Sequence, residues 1–295
     1  MRNQNDLQID STTLVRNMLL VLVSAELLLF TLNYHLNLMN LMGDSAIQRL
    51  FNTAREDSLP GWFNIIQTAM IAATLWLIYA VKRQRGTKWQ GRGWFAIALF
   101  FSYLAFDDGA HIHERVGTWF GNAGDSMVIG AWLLDFFPSY RWQIVFMPIF
   151  ATMGVFTFVF MLKELRDWKP KLTVFVAMSF LALAVTADFF EGLSQTHALN
   201  PYTWLAQNWH IDYWTNRTLG MSLYDTLIHF SRSIEECLEM FAMTLLWTVF
   251  LSHLFQSLDG LRMKVVSPAA NGAEADQPAR LVRPATAFDT PSRAA

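Results

Sequence analysis

A single cysteine, Cys237, in 295 residues excludes an internal disulfide framework and any zinc site built on cysteines. Charge is scarce as well: Asp, Glu, Lys and Arg make up 16% of the chain, and with a net charge of −2 no nucleic-acid partner is expected. There is no glycine-rich phosphate loop, no internal repeat, and no set of histidine-rich boxes of the kind carried by membrane desaturases and hydroxylases. Residues 1–13 are polar and mixed in charge, and the apolar run behind them is too long for a signal-peptide core, so no cleavable leader is expected.

What is abundant is apolar: 53% of residues are hydrophobic, with 24 Phe and 12 Trp, and the mean hydropathy is +0.25. A bilayer core of roughly 30 Å needs about 20 apolar residues in a helix. Such runs occur near 14–38, 62–81, 94–115, 142–162, 172–197 and 229–256. The expected fold class is therefore all-α: a polytopic membrane bundle of about six transmembrane helices over 14–256, multi-pass in the cell (inner) membrane. Lys82, Arg83, Arg85, Lys88 and Arg92 follow the second run, and Lys163, Arg166, Lys169 and Lys171 follow the fourth. The positive-inside bias makes both loops cytoplasmic, and with them both termini, the segment 1–13 and the tail 257–295. The tail has no periodicity and is expected to be largely disordered. Loops 116–141 and 198–228 then fall outside. Their aromatic stretches, Ala131-Trp-Leu-Leu-Asp-Phe-Phe and Tyr202-Thr-Trp-Leu-Ala-Gln-Asn-Trp, suit helices lying in the interface as a cover.

Against this background one stretch stands out, S-Y-L-A-F-D-D-G-A-H-I-H-E-R over 102–115, which sets ionisable groups into the end of an apolar run. Taken as one helix, Asp107, His111 and Glu114 (i, i+4, i+7) share a face, while Asp108 and His113 point to other sides. Ionisable groups at membrane depth normally face a bundle interior and mark function. Two further runs carry acids at the same end. The fifth reads A-D-F-F-E-G-L-S-Q, with Asp188, Glu191 and Gln195 on one stripe, and the sixth holds Arg232, Glu235, Glu236 and Glu239 within one arc. Counted at 1.5 Å per residue from the basic loops, these acids lie at one level, in the outer third of the membrane. Glu26, with Asn33 and Asn37, sits deeper on the first run, which offers itself as a fourth wall.

The bland alternatives are a structural ion pair between Arg232 and Glu236, one turn apart, and a Glu26 that only packs. Asp107, Glu114, Asp188, Glu191, Glu236 and Glu239 in one pocket could not all ionise without compensation by protons, arginine or metal. Acids paired at i, i+3 on two helices with a histidine from a third supply the ligands of a dinuclear carboxylate site. The expected metal ligands are Asp107, Asp108, His111, Glu114, Asp188, Glu191, Glu236 and Glu239, supported by His113, Arg232, Glu235 and Glu26, and the expected cofactor is one or two divalent ions of iron, manganese or zinc. That chemistry favours a metal-dependent oxidoreductase or hydrolase facing the external (periplasmic) side and acting on a lipid, quinone-like or other amphiphilic substrate. A cation or proton transporter and a non-catalytic accessory subunit of a membrane complex are the competing classes. A transmembrane relay is poorly supplied, because the inner halves of the third, fifth and sixth runs offer only hydroxyl side chains such as Ser102, Ser179 and Thr244.

Overall fold

A computed structural model describes residues 7–8, 10–124, 137–258 and 262–263. It separates into two units. The smaller contributes a two-residue antiparallel ladder, β1 (Leu7–Gln8) with β2 (Arg262–Met263), Leu7 opposite Met263 and Gln8 opposite Arg262. That pairing is a local departure from the structureless tail the sequence suggests.

The larger unit is all helix. Its elements are α1 (Ser11–Leu32), continued by a π-helical segment Asn33–Leu38, α2 (Ser45–Phe51), α3 (Leu59–Arg85), α4 (Lys88–Ala110), α5 (Ile112–Gly124), α6 (Arg141–Glu164), α7 (Trp168–Glu191), α8 (Pro201–Asn208), α9 (Asp212–Leu219) and α10 (Leu223–Ser257). Five helices are long and apolar enough to cross a membrane, or six if α4 and α5, bent by 71°, make one broken span.

The helix ends follow from their capping residues. Asp10, Asp44, Ser58 and Asn200 each accept hydrogen bonds from backbone N–H groups of the turn they open, satisfying donors that a helix start leaves orphaned. Thr87 and Gln90 form a reciprocal capping box that starts α4 straight after α3 and makes the two a tight hairpin. Gly93 is obligatory in that corner, because a Cβ there would run into the ring of Phe160.

α10 is the axis of the bundle. Its 35 residues extend for about 52 Å at 1.5 Å per residue, well beyond a bilayer core, and it packs on α1, α3, α7, α8 and α9. The core runs along its inner half, where Ile71, Leu75, Ile78, Trp94, Ile97, Phe101, Leu246 and Phe250 interdigitate. At the basic end Glu164 accepts from Trp94 Nε1 (3.4 Å) and Gln90 Nε2 (3.3 Å) and lies 3.9 Å from Lys82, fastening α3, α4 and α6 together.

Two expected spans are corrected. The third is not one helix to residue 115: His111 adopts the left-handed conformation (φ 53, ψ 44), which ends α4 and turns α5 away. The fifth does not run to 197. α7 stops at Glu191 with Gly192 as its cap, so Gln195 leaves the stripe of Asp188 and Glu191. Gly192 sits against Ser139 and Tyr140, where a Cβ would lie 2.8 Å from the Tyr140 nitrogen. The stretch 131–137 falls outside the described residues except for Phe137, and most of 1–13 and 257–295 is also outside them.

Candidate metal centre

At the end opposite the basic loops, a cavity of about 1090 Å³ opens between α3, α4, α5, α6, α7 and α10. Among the described residues nine carboxylates line it: Asp107 and Asp108 from α4, Glu114 from α5, Asp188 and Glu191 from α7, Glu235, Glu236 and Glu239 from α10, and Glu56 from the turn before α3. The cationic groups on its wall are Arg55, Arg141, Arg232 and, when protonated, His113.

The turn at His111 decides the geometry of the α4 side. It brings α5 back so that Asp107 Oδ1 accepts from the His113 backbone N–H (2.8 Å), capping the new helix, while Oδ2 meets His113 Nδ1 at 2.8 Å. Tyr103 OH donates to Asp107 at 3.2 Å. A carboxylate only accepts, so Nδ1 carries a proton, and in the neutral imidazole Nε2 keeps a lone pair. A histidine oriented in this way by a carboxylate is the usual form of a metal-ligating imidazole. The placement differs from the one-helix expectation. Asp107 is the orienting group, His113 is the imidazole on the cavity wall, and Asp108 lines the cavity instead of pointing away, held by Thr68 Oγ1 at 3.3 Å.

His111 is drawn elsewhere. Its Nδ1 contacts Glu56, and the ligand atoms of Glu56, His111 and Glu114 all lie within 4.8 Å of one another, a grouping fit for one cation at the cavity mouth. Glu56 is 43% exposed, and its turn is clasped by Asp57, which bonds both Arg49 and Arg55 (2.9 Å to each Nε). Partial burial, followed by the charge of Glu114, raises the Glu56 carboxyl to about 7. Between the unperturbed value near 4.5 and about 7, the folded protein holds a proton that the unfolded chain has lost, so this group makes stability fall as pH rises. Glu56→Gln is expected to flatten that part of the stability profile of metal-free protein between pH 5 and pH 7.5. An unchanged slope in thermal melts would remove Glu56 from the account.

The α7 acids are braced from α6. Gln143 Nε2 donates to Asp188 Oδ2 at 2.7 Å, and Glu191 Oε1 accepts from Tyr140 OH (2.5 Å) and Arg232 Nη2 (2.6 Å). Arg232 therefore pairs across to α7 and not with Glu236 on its own helix, because the exposed turn at the top of α10 faces the end of α7. Glu191 is 6% exposed, and its Oε2 has no partner among the described residues. The carboxyl groups of Glu235, Glu236 and Glu239 accept no side-chain hydrogen bond from a described residue. Glu236 feels the charges of Glu239, Asp108, Glu56 and Asp188, and Glu239 those of Asp108, Asp188 and His113, so acids from four elements share the cavity, but among the described residues only Glu56, His111 and Glu114 bring three ligand atoms within 4.8 Å of one another.

Glu26 belongs to a different place. It is fully buried between α1, α3 and α10, where Oε1 accepts from Gln67 Nε2 (3.0 Å) and Thr244 Oγ1 (2.5 Å). α1 lies on the far side of α10 and α3 from the cavity and does not form the fourth wall. That wall is α6 together with the start of α3. Asn33 and Asn37 likewise bond within the α1–α10 contact, Asn33 Nδ2 reaching Ser233 Oγ at 3.1 Å. Glu56 and Tyr140 line the cavity, and Gln143 and Thr68 brace the acids Asp188 and Asp108 that do; the sequence singled out none of the four. None shares a stripe with the acids, and only the folded positions of α3 and α6 bring them in.

The family described as Domain of unknown function (DUF8692) matches residues 18–254. No curated protein and no solved structure matches the chain.

Proposed function

Because the chain belongs to that family, whose description specifies no chemistry, we propose its function from the cavity alone: a membrane-embedded metalloprotein that binds one or two divalent ions among carboxylates and histidine. The observation that carries this reading is the Asp107–His113 pair, a carboxylate-oriented imidazole on the wall of the cavity that Asp108, Asp188, Glu236 and Glu239 also line. Those five groups are the proposed ligands of the inner ion. Glu56, His111 and Glu114 would hold a second at the mouth, and Arg232 would offset Glu191. Two divalent ions supply about four positive charges where nine carboxylates would otherwise repel one another. Carboxylate-rich sites with one or two histidines suit iron, manganese or zinc. An ion so held can activate water or oxygen, which favours an oxidoreductase or hydrolase acting on a lipid-soluble or amphiphilic substrate.

The same reading puts the site toward the external face of the cell membrane, since the basic loops at the opposite end favour the cytoplasm. Lys88 and Asn208 are exposed at opposite ends of the bundle and Cys237 is buried. Lys88→Cys is therefore expected to resist a membrane-impermeant thiol reagent in intact cells, and Asn208→Cys to react. The inverse pattern would turn the site to the cytoplasm. Metal analysis of protein purified without chelator tests the ligand set: metal-free protein whose melting temperature does not respond to iron, manganese or zinc would overturn the reading.

The transporter alternative needs polar groups through the full thickness. The cavity's inner half is lined by Phe100, Phe150, Met178, Leu181 and Leu246, and the buried Glu26 cluster lies apart from it. That arrangement supports a one-sided site.

A further inference from the structure

Below the acids, the cavity continues for about 10–15 Å toward the basic end, measured as the 7 to 10 residues separating Glu239 from Leu246 and Asp188 from Met178. This lower lobe is walled mainly by apolar groups, Phe100, Phe150, Val155, Met178, Leu181 and Leu246, with the hydroxyl of Thr157 among them. One hydroxyl falls short of the roughly two to four polar partners that an ordered water needs, and protein interiors are packed with few large voids. Its outer wall, α6, rests mainly on α5 and touches α4 and α7 sparsely. Ala151 and Val155 on α6 and Ala182 on α7 line the lobe yet are exposed, Val155 by 64%. The lobe therefore opens sideways between α6 and α7, at a depth where the surrounding medium of a membrane-spanning helix is hydrocarbon.

We propose that this lobe takes the hydrocarbon chain of a single-chain membrane amphiphile whose uncharged oxygen-bearing head lies among the acids, entering from the bilayer between α6 and α7. The proposal rests on the metal reading for the head and on the lobe alone for the chain. The head is uncharged because of the balance of charge around it. Among the described residues nine carboxylates face three arginines, with His113 neutral when it ligates a metal, so even two divalent ions leave no surplus positive charge for a carboxylate or phosphate head. A hydroxyl or carbonyl oxygen, by contrast, can enter a metal's coordination shell without adding charge. Depth and width suit one chain: small residues, Ala151, Gly154 and Ala182, make the space between α6 and α7, and the Cβ that Gly154 lacks would lie 3.5 Å from Met178 Cε.

The test is photolabelling of the full-length protein in lipid nanodiscs with a long-chain alcohol bearing a diazirine in mid-chain, adducts being mapped by peptide mass spectrometry. Adducts are expected on Phe100, Met178 and Leu181, in excess over bilayer-facing Leu99, Val159 and Leu183. The double variant Ala151→Phe, Ala182→Phe blocks the opening with residues that are exposed in the fold, so it should fold and keep its metal. Lobe adducts should fall about tenfold in it, with bilayer-facing adducts unchanged. The corresponding fatty acid, ionised, should label the lobe far less than the alcohol. Adducts spread evenly over the outer surface, or lobe adducts indifferent to the double variant, would overturn the chain site, and equal labelling by acid and alcohol would overturn the uncharged head. Lobe labelling in protein that binds no metal would uphold the chain site while the metal reading fell.

Discussion

Glu236→Ala is expected to strip divalent metal from the purified protein and to lower its melting temperature in the same step. Glu236 faces Glu239, Asp108, Glu56 and Asp188 and has no hydrogen-bond donor among the described residues, so in the proposed site its natural partner is a cation. Losing a group that only orients a ligand weakens metal binding by about 10–100-fold, and losing a ligand should reach the upper end of that range or exceed it. Metal at a 100-fold excess over Kd stabilises a fold by about 2.7 kcal/mol. For a chain of this size that corresponds to about 5–10 °C in Tm. The sign discriminates between readings. In a cluster that never binds metal, deleting one acid relieves repulsion and raises Tm; such a rise, with no change in metal content, would sink the metal reading. Asp225→Ala on the exposed first turn of α10 is the control and should leave metal content unchanged. Asp125 lies outside the described residues.

Trp94→Ala should give the largest loss of stability from a single change away from the acids. The indole is fully buried at the basic end of the core, edge-on to Phe160 (5.4 Å between ring centroids) and Phe250 (6.2 Å) and stacked on His253 (5.0 Å). Truncating such a side chain costs about 3–5 kcal/mol, because the surrounding helices cannot collapse into the space. It also removes one of the donors to Glu164, leaving that acid to Lys82 and Gln90. Trp94→Phe should recover much of the packing. Metal bound per folded molecule should stay at the wild-type level in both variants, since the site is at the other end of the bundle. Denaturation that shifts by less than about 1 kcal/mol would mean the core there is slack. Loss of metal in folded Trp94→Ala protein would mean that the two ends are coupled.

The ends of the third and fifth runs were not legible in the sequence by itself, while the all-helical class, the apolar runs and the gathering of acids at one end of them were. Each is a local property: about 20 apolar residues make a crossing, and 1.5 Å per residue places Asp107, Asp188 and Glu239 at similar heights whatever their neighbours. The arc of Glu235, Glu236 and Glu239 was legible for the same reason, because α10 is unbroken there. What surrounds those acids was decided only by the tertiary structure. A single left-handed residue, His111, sends its own ring to Glu56 and brings His113 to Asp107, and nothing local marks it, since Gly109, two residues earlier, is the residue that ordinarily takes such a turn. The recruitment of Glu56, Gln143 and Tyr140, and the diversion of Glu26 to Gln67 and Thr244, depend on how α3, α6 and α1 are rotated about α10. Helix rotation is set by packing across the bundle, by contacts such as Gly93 against Phe160 and Gly117 against Trp142, and such contacts join residues far apart in the chain.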